Sequence, residues 1–404
     1  MKLPIVWDTI LLPKAHLDLT KWAVVACDQY TSNEEYWQQL DKKVGRANST
    51  LRMILPEVYL GRGEDDARIK KIASVQKKYL EADIFDIIDS GVVVVSRTTT
   101  DAKGVTKTRV GIMLTIDLAA YSYTHADRAM IRATEGTVEE RVPPRAAVRS
   151  KCELESPHIM LLVDDPDKTL VEPLAKMMSI PLYDTELNNN GGRVTGALVK
   201  GRERVVTALR KLLEDSVAKH NSPFLFGVGD GNHSLASAKA VYESNPTALN
   251  RYALVEVVNI YDDGIEFEPI HRLVKGSNGQ RVYDALIQKL GVKTNAKALP
   301  NIMLGNQRAH LKLPSDAIKA VAKVQAIIDD EIMLHGGEVD YIHGEQELND
   351  LAAANDNNVG VLLPSLKKDT LFAYVANKGA LPRKTFSMGE AWEKRYYLEC
   401  RKIK

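Results

Sequence analysis

Only three cysteines occur in 404 residues, and Cys27, Cys152 and Cys400 stand far apart with no ligand spacing. Such a set excludes a disulfide framework and a zinc cluster, and it suits a reducing compartment. Long apolar runs are missing too: none approaches the roughly 20 residues that cross a bilayer. The opening MKLPIVWDTILLP has one lysine, interrupting prolines and no small-residue cleavage site. Neither a secretory signal nor a membrane partner is therefore expected, and a cytoplasmic protein is. Charge of one sign is not in excess. With 54 basic and 53 acidic residues the formal net charge is +1, which speaks against a nucleic-acid partner. There is no internal repeat, low-complexity tract or long linker, and no G-x-x-x-x-G-K-[ST] phosphate loop. What remains is a chain 45% hydrophobic and 26% charged. It is long enough for a large core in two or three domains or one elaborated domain.

The apolar run WAVVAC (22–27) reads as a buried strand, and Thr31, Ser32 or Asn33 can cap a helix over EEYWQQLDKKV. Residues 64–82 carry acids in the first turn and lysines later, as the helix dipole favours. The β-branched arms 91–100 and 105–117 read as a hairpin about DAKG. PHIMLLVDD (157–165) predicts a strand, 167–178 a helix, and SIPLYDTEL with RVTGALV a second hairpin around NNNGG. In 201–220 apolar residues recur three and four apart, which predicts an amphipathic helix. RYALVEVVNIY and IEFEPIHRLV follow as strands, and VGVLLP and TLFAYVA read as strands near the end. Hairpins with interspersed helices predict an α+β or mixed α/β fold rather than regular βαβ winding. The expected division is an N-terminal α/β part over 1–130 that contributes to an active-site cleft, and a core over 131–276. An inserted or second lobe over 277–357 and a C-terminal segment over 358–404 that returns to the core complete it.

Chemistry concentrates at one junction. In FLFGVGDGNHSLASAKAVYES (223–243) an apolar strand stops at Asp230, Gly231, Asn232, His233 and Ser234, and a helix follows. The glycines allow positive φ and close approach of backbone to a ligand. Ser234 is a helix-capping type, and a helix N-terminus is a natural phosphate seat. His233 adds a donor, and Asp230 a metal ligand or a base. The plain alternative is a tight turn with a capped helix. RATEGTVEERVPPRAAVRSK (132–151) sets Arg145 and Arg149 four apart on one helix face, with Arg132 and Arg141 before them. Guanidinium groups so placed bind phosphate or carboxylate, unless Glu135, Glu139 and Glu140 merely pair with them on a solvated face. EFEPIHRL offers His271 and Arg272, LPRKTFS offers Arg383, Lys384 and Thr385, and Asp28 ends the buried run of VVACDQYTS.

Together WAVVACDQYTS, RATEGTVEERVPPRAAVR, PHIMLLVDD, GVGDGNHSLA, FEPIHRLV and LPRKTFSMGEAWEKR resemble the successive motifs of a broad bacterial family long labelled a domain of unknown function. The resemblance runs from about residue 13 to 398. Its Asp-Gly-x-His element is similar to the donor loop of free serine kinases built on a ParB/sulfiredoxin-like fold. The resemblance implies such a core here, and transfer of a phosphoryl group from pyrophosphate, ADP or ATP to the hydroxyl of L-serine. It assigns Gly231, Asn232 and Ser234 to the donor, with Arg272, His271, Arg383, Lys384 and Thr385 as further donor-binding residues. Ser234 departs from the serine-kinase pattern, where an arginine stands, so a positive charge has to come from elsewhere. Asp28, Asp230, His233 and Glu139 are the expected catalytic residues, and Arg132, Arg141, Arg145 and Arg149 the expected holders of the substrate carboxylate. Mg²⁺ on Asp230 is the expected cofactor, and the protein is expected to be a monomer or homodimer. The competing readings are a ParB-like nucleotide-binding regulator and a phosphoester or nucleotide hydrolase.

Overall fold

The computed structural model describes residues 1–404 except 32, 102, 125–127 and 295–299; Ser32, one of the three expected caps, lies outside the described residues. The chain divides into two units. One comprises residues 1–265, 375–379 and 391–404, and the other 266–374 and 380–390. His271, Arg272 and Arg383 to Thr385 therefore belong to the second unit.

The first unit is built on a ten-stranded sheet. Its strands are β1 (Ile5–Val6), β2 (Val92–Thr100), β3 (Thr106–Asp117), β4 (Tyr121–Ser122), β5 (Ile131–Ala133), β6 (Met160–Val163), β7 (Ile180–Glu186), β8 (Arg193–Val199), β9 (Phe226–Asp230) and β10 (Tyr252–Asn259). They lie in the order β7-β8-β2-β3-β10-β6-β9-β5-β4, with β1 beside β3. Both expected hairpins form: β2 runs antiparallel to β3, with Val94 opposite Ile112, and β7 runs antiparallel to β8. Val92 to Val95 are all buried, because the strand is covered on both faces. Val92 and Val94 enter one core with Leu209 and Leu235, and Val93 and Val95 the other, with Trp22, Trp37 and Tyr396. A doubly covered strand reads as a continuous apolar run, and each such side chain contributes roughly 1.5–3 kcal/mol.

The longer helices of this unit are α1 (Glu34–Val44), α2 (Asp65–Glu81), α3 (Val142–Lys151), α4 (Arg202–His220) and α5 (Asn232–Ser244). Asn33 caps α1, its side chain accepting from the Tyr36 N–H. Other expectations fail. Trp22 ends a short helix capped by Asp18, so only Val24–Val25 of WAVVAC is strand. The helix expected over 167–178 shrinks to Val171–Ala175, because Asp165 takes the N–H groups of Thr169 and Leu170 and holds the preceding stretch as a turn. TLFAYVA is helical within Lys368–Lys378. Its β-formers are outvoted by burial, since Leu371 and Val375, four apart, both reach a core.

The segment after residue 391 threads back through the first unit. Tyr396–Tyr397 pairs antiparallel with Val24–Val25, and Arg401–Lys402 with Leu154–Glu155. The Trp22 indole donates to the Leu398 carbonyl at 2.9 Å. Arg395, buried, is clasped by Glu256 at 2.6 Å and Glu399 at 2.7 Å, and donates to the Pro157 carbonyl at 2.8 Å.

The second unit carries a six-stranded sheet of β11 (Phe267–Lys275), β12 (Ile302–Leu304), β13 (Gln307–Ala309), β14 (Glu338–His343), β15 (Val359–Val361) and β16 (Phe386–Met388). The order is β13-β12-β15-β11-β14, with β16 on β11. Its core joins Val274 and Val361 to Leu286 of the helix Gly279–Leu290 and Val324 of the helix Ala317–His335. The fold is mixed α/β in both units, as the sequence predicts.

Candidate functional site

β9 ends at Asp230 and α5 begins at Asn232, with Gly231 between them at φ +78°. Two constraints demand glycine. The left-handed φ is one; space is the other, since a Cβ there would lie 3.0 Å from Ile159 Cα. No side chain caps α5, so Ser234 is not the expected cap but a residue of the first turn. The N–H groups of that turn have no intrahelical acceptor, and their partial positive charge favours an anion.

Sheet register supplies the neighbours. β6 pairs antiparallel with β9, Met160 opposite Asp230, and this brings His158, just upstream, to the start of α5. His158 Nε2 lies 3.2 Å from Ser234 Oγ and 3.9 Å from Asp28 Oδ1. Its Nδ1 is 2.9 Å from the Tyr397 hydroxyl, which also accepts from the Cys27 N–H at 3.0 Å. The pairing of Val24–Val25 with Tyr396–Tyr397 ties Asp28 to the returning segment. From that segment Lys394 extends its ammonium to 3.5 Å from Asp230 Oδ2, while Asp230 Oδ1 accepts from the Gly231 N–H at 2.9 Å. Burial alone would raise the Asp28 carboxyl. His158, the Gln29 amide and Lys394 outweigh it and hold the group below the ordinary carboxylate value. The Val138 N–H donates to His233 Nε2 at 3.2 Å, which leaves the proton of the neutral ring on Nδ1.

A cavity of about 150 Å³ opens beside this cluster, lined by His158, Ser234, Ser237, Arg145 and Arg149 and by apolar Ile54, Leu55 and Val148. A cavity of about this volume accommodates a molecule of benzene's size. Arg145 and Arg149 share one face of α3 as the spacing predicts. Pro143 and Pro144 occupy the first turn of that helix, where a missing N–H breaks no hydrogen bond. Arg145 pairs with Glu57 and donates to the Arg141 carbonyl at 2.6 Å. Arg149 Nη1 meets Glu155 at 2.6 Å. Its Nε and Nη2, by contrast, are buried without a hydrogen-bond partner among the described residues. Cys27 and Cys152 border the same cavity as thiols, pushed up by burial to about 12 and about 11.

Other expected site residues have partners of their own or are exposed. Arg132, 4% exposed, donates to the Ala129 carbonyl at 2.7 Å and lies 4.9 Å over the Phe224 ring. Glu139 and Arg141 are exposed on a 3-10 turn before α3. In the second unit Arg272 is fully enclosed. It donates to Gln325 at 2.6 Å, the Ile270 carbonyl at 2.7 Å and the Lys384 carbonyl at 3.0 Å, over the Tyr341 ring at 4.7 Å. That guanidinium braces β11 and the loop before β16. His271 Nδ1 accepts from the Leu363 N–H at 3.1 Å, and burial, then Arg272, push it down to about 4. Thr385 donates to the Pro382 carbonyl, and Arg383 and Lys384 are exposed.

His158, Tyr397 and Lys394 are the residues that sequence reasoning missed. A histidine opening an apolar strand and a lysine in AWEKRYY were visible signals, but only the pairing of distant strands gives them a partner. Among the described residues no group of three His, Cys, Asp or Glu is placed to hold a metal ion. Among the same residues no helix is long and apolar enough to cross a membrane.

A family model described as a protein of unknown function, DUF1015, matches residues 11–339. No curated protein matches the chain. Among solved structures it is similar to SbnI with a C-terminal truncation from Staphylococcus aureus, at 12% identity and TM-score 0.40, over 69% of this chain and 82% of that one. A free serine kinase in complex with AMP aligns at 11% identity and TM-score 0.39, over 72% and 91%. A conserved hypothetical protein from Pyrococcus furiosus aligns at 11% and 0.37, over 72% and 95%. Likeness at this level carries no chemistry to the chain.

Proposed function

Because the chain belongs to the DUF1015 family of proteins of unknown function, its reaction has to be read from its own residues, and we propose that it is a small-molecule kinase. In this reading it moves a phosphoryl group from pyrophosphate, ADP or ATP to the hydroxyl of L-serine, giving O-phospho-L-serine. The observation that supports it is the convergence, in one unit, of an uncapped helix N-terminus, Lys394, an Asp28 held below the ordinary carboxylate value and a cavity lined by Arg145 and Arg149.

Phosphoryl transfer needs alignment and charge neutralisation more than covalent help. The first turn of α5 and Lys394 supply positive charge for a donor phosphate, and the neutral His233 ring adds an N–H donor. Arg149 and Arg145, which line the cavity, hold the substrate carboxylate. Asp28 orients the acceptor hydroxyl and accepts its proton, an effect worth roughly 10²–10⁴-fold. Asp230 is an oxygen ligand of the kind Mg²⁺ takes. Mg²⁺ binds through one or two carboxylates and the phosphates themselves rather than a protein cage, so the absence of a three-residue cluster among the described residues fits it. When bound, the ion would neutralise charge on the donor phosphates.

Purified protein with Mg²⁺, L-serine and each donor in turn should form phosphoserine with one of them, read by phosphorus NMR. Asp230→Asn and His233→Ala should abolish transfer and leave the fold intact by circular dichroism. Phosphate released without phosphoserine would replace the kinase by a hydrolase, and full activity in both variants would remove the site assignment.

A further inference from the structure

We propose that Ser234 is itself a phosphoryl acceptor, so that the transferred group passes through a phosphoserine on the enzyme. This rests on the phosphotransfer reading of the site, but it assigns a step that reading does not contain.

Three groups stand in the order that activates a hydroxyl: nucleophile, base and orienting group. Ser234 Oγ is 3.2 Å from His158 Nε2, and the other ring nitrogen is held at 2.9 Å by the Tyr397 hydroxyl. His158 is 3% exposed and packs edge-on against the Tyr397 ring at 5.4 Å between centroids, so the imidazole is fixed in direction. Ser234 borders the cavity that Arg145 and Arg149 line. Ser237, one turn on, borders it too, but its hydroxyl is committed to the Val142 and His233 carbonyls at 3.2 and 2.7 Å. Ser234 is the one of the two whose hydroxyl faces a base. A phosphate carried there would sit at the positive end of α5, where a phosphoserine is stabilised.

The step balances without further reactants. Ser234 Oγ attacks the terminal phosphorus of the donor, its proton passes to His158 Nε2, and the bond from that phosphorus to the bridging oxygen breaks, releasing phosphate or the shortened nucleotide. Asp28, 3.9 Å from Nε2, offsets the charge of the imidazolium. The L-serine hydroxyl then attacks the same phosphorus and gives its proton to Asp28. The bond to Ser234 breaks, and His158 returns the proton to Ser234 Oγ.

The test is to incubate the full chain with Mg²⁺ and ³²P-labelled pyrophosphate, ADP or ATP in turn, without serine, quench in acid and map the labelled peptide. Acid-stable label on Ser234, absent in Ser234→Ala and formed at least 100-fold more slowly in His158→Asn, is the expected result. Chasing that label into free phosphoserine completes it, and Ser234→Thr should retain some label if the fold is intact. Free phosphoserine without enzyme label, at an undiminished rate in Ser234→Ala, overturns the inference while leaving the kinase standing. Acid-labile label, on histidine, also overturns it. Label on Ser234 that serine never removes upholds the inference and sinks the proposed acceptor. Neither label nor phosphoserine from any donor removes both.

Discussion

Lys394 meets two carboxylates, at 3.5 Å from Asp230 and through its charge on Asp28. In the proposed reaction its ammonium also faces the donor. Lys394→Met should lower phosphoserine formation roughly 10²–10³-fold, as loss of one positioned charge does, and Lys394→Arg should recover part of it. Steady-state rates on both variants check this. His271 makes a prediction of the opposite kind, about stability alone. Its folded value of about 4 lies below its ordinary 6.5, so between those pH values the unfolded chain binds more protons and stability falls as pH drops. The loss approaches roughly 3 kcal/mol at the acid end, and urea midpoints from pH 7 to 4 should show it, with His271→Asn giving a flatter profile. At this scale the Asp-Gly-Asn-His junction was legible, because residue types unsuited to a buried strand's end announce themselves. His158, Lys394 and Tyr397 were not, because a residue's partner across a sheet is written nowhere near it.

Runs of one type carried the elements. The valines of β2 and the three-and-four spacing of α4 each match one period, and both formed where expected. TLFAYVA did not, because Thr, Phe, Tyr and Val favour strands only where a sheet is there to receive them. Its burial at positions four apart settles the matter for a helix. The segment that ties the site together is the one around Arg395, whose guanidinium is enclosed by Glu256 and Glu399. Arg395→Met should cost about 3–5 kcal/mol, since it strands buried carboxylates without their cation, and a denaturation midpoint would measure it. Arg193→Ala breaks the exposed pair with Asp184 on β7 and β8 and should leave the midpoint where it was. Equal losses from the two would deny the buried cluster its role.

Over the whole molecule, the edges of the two units are set by which strands pair. The second unit begins at Glu266, and β11, from Phe267, takes His271 and Arg272 with it. A chain stopped after residue 390 should therefore lose cooperative unfolding of the first unit, along with phosphoserine formation, and a synthetic peptide of residues 391–404 should restore protease resistance. If the shortened chain melts normally, the returning strands are dispensable. Their place in the sequence also sets a clock. Val24 and Val25 leave the ribosome early, yet the strand that pairs with them, Tyr396–Tyr397, is made roughly 370 residues later, a wait of roughly 20–75 s at ordinary bacterial-to-eukaryotic synthesis speeds. During that interval the nascent first unit holds Trp22 without its carbonyl partner and Asp230 without its lysine. A cell making this protein thus carries, on each ribosome translating it, an unpaired strand and an unpaired carboxylate that find their partners in the same short stretch of synthesis.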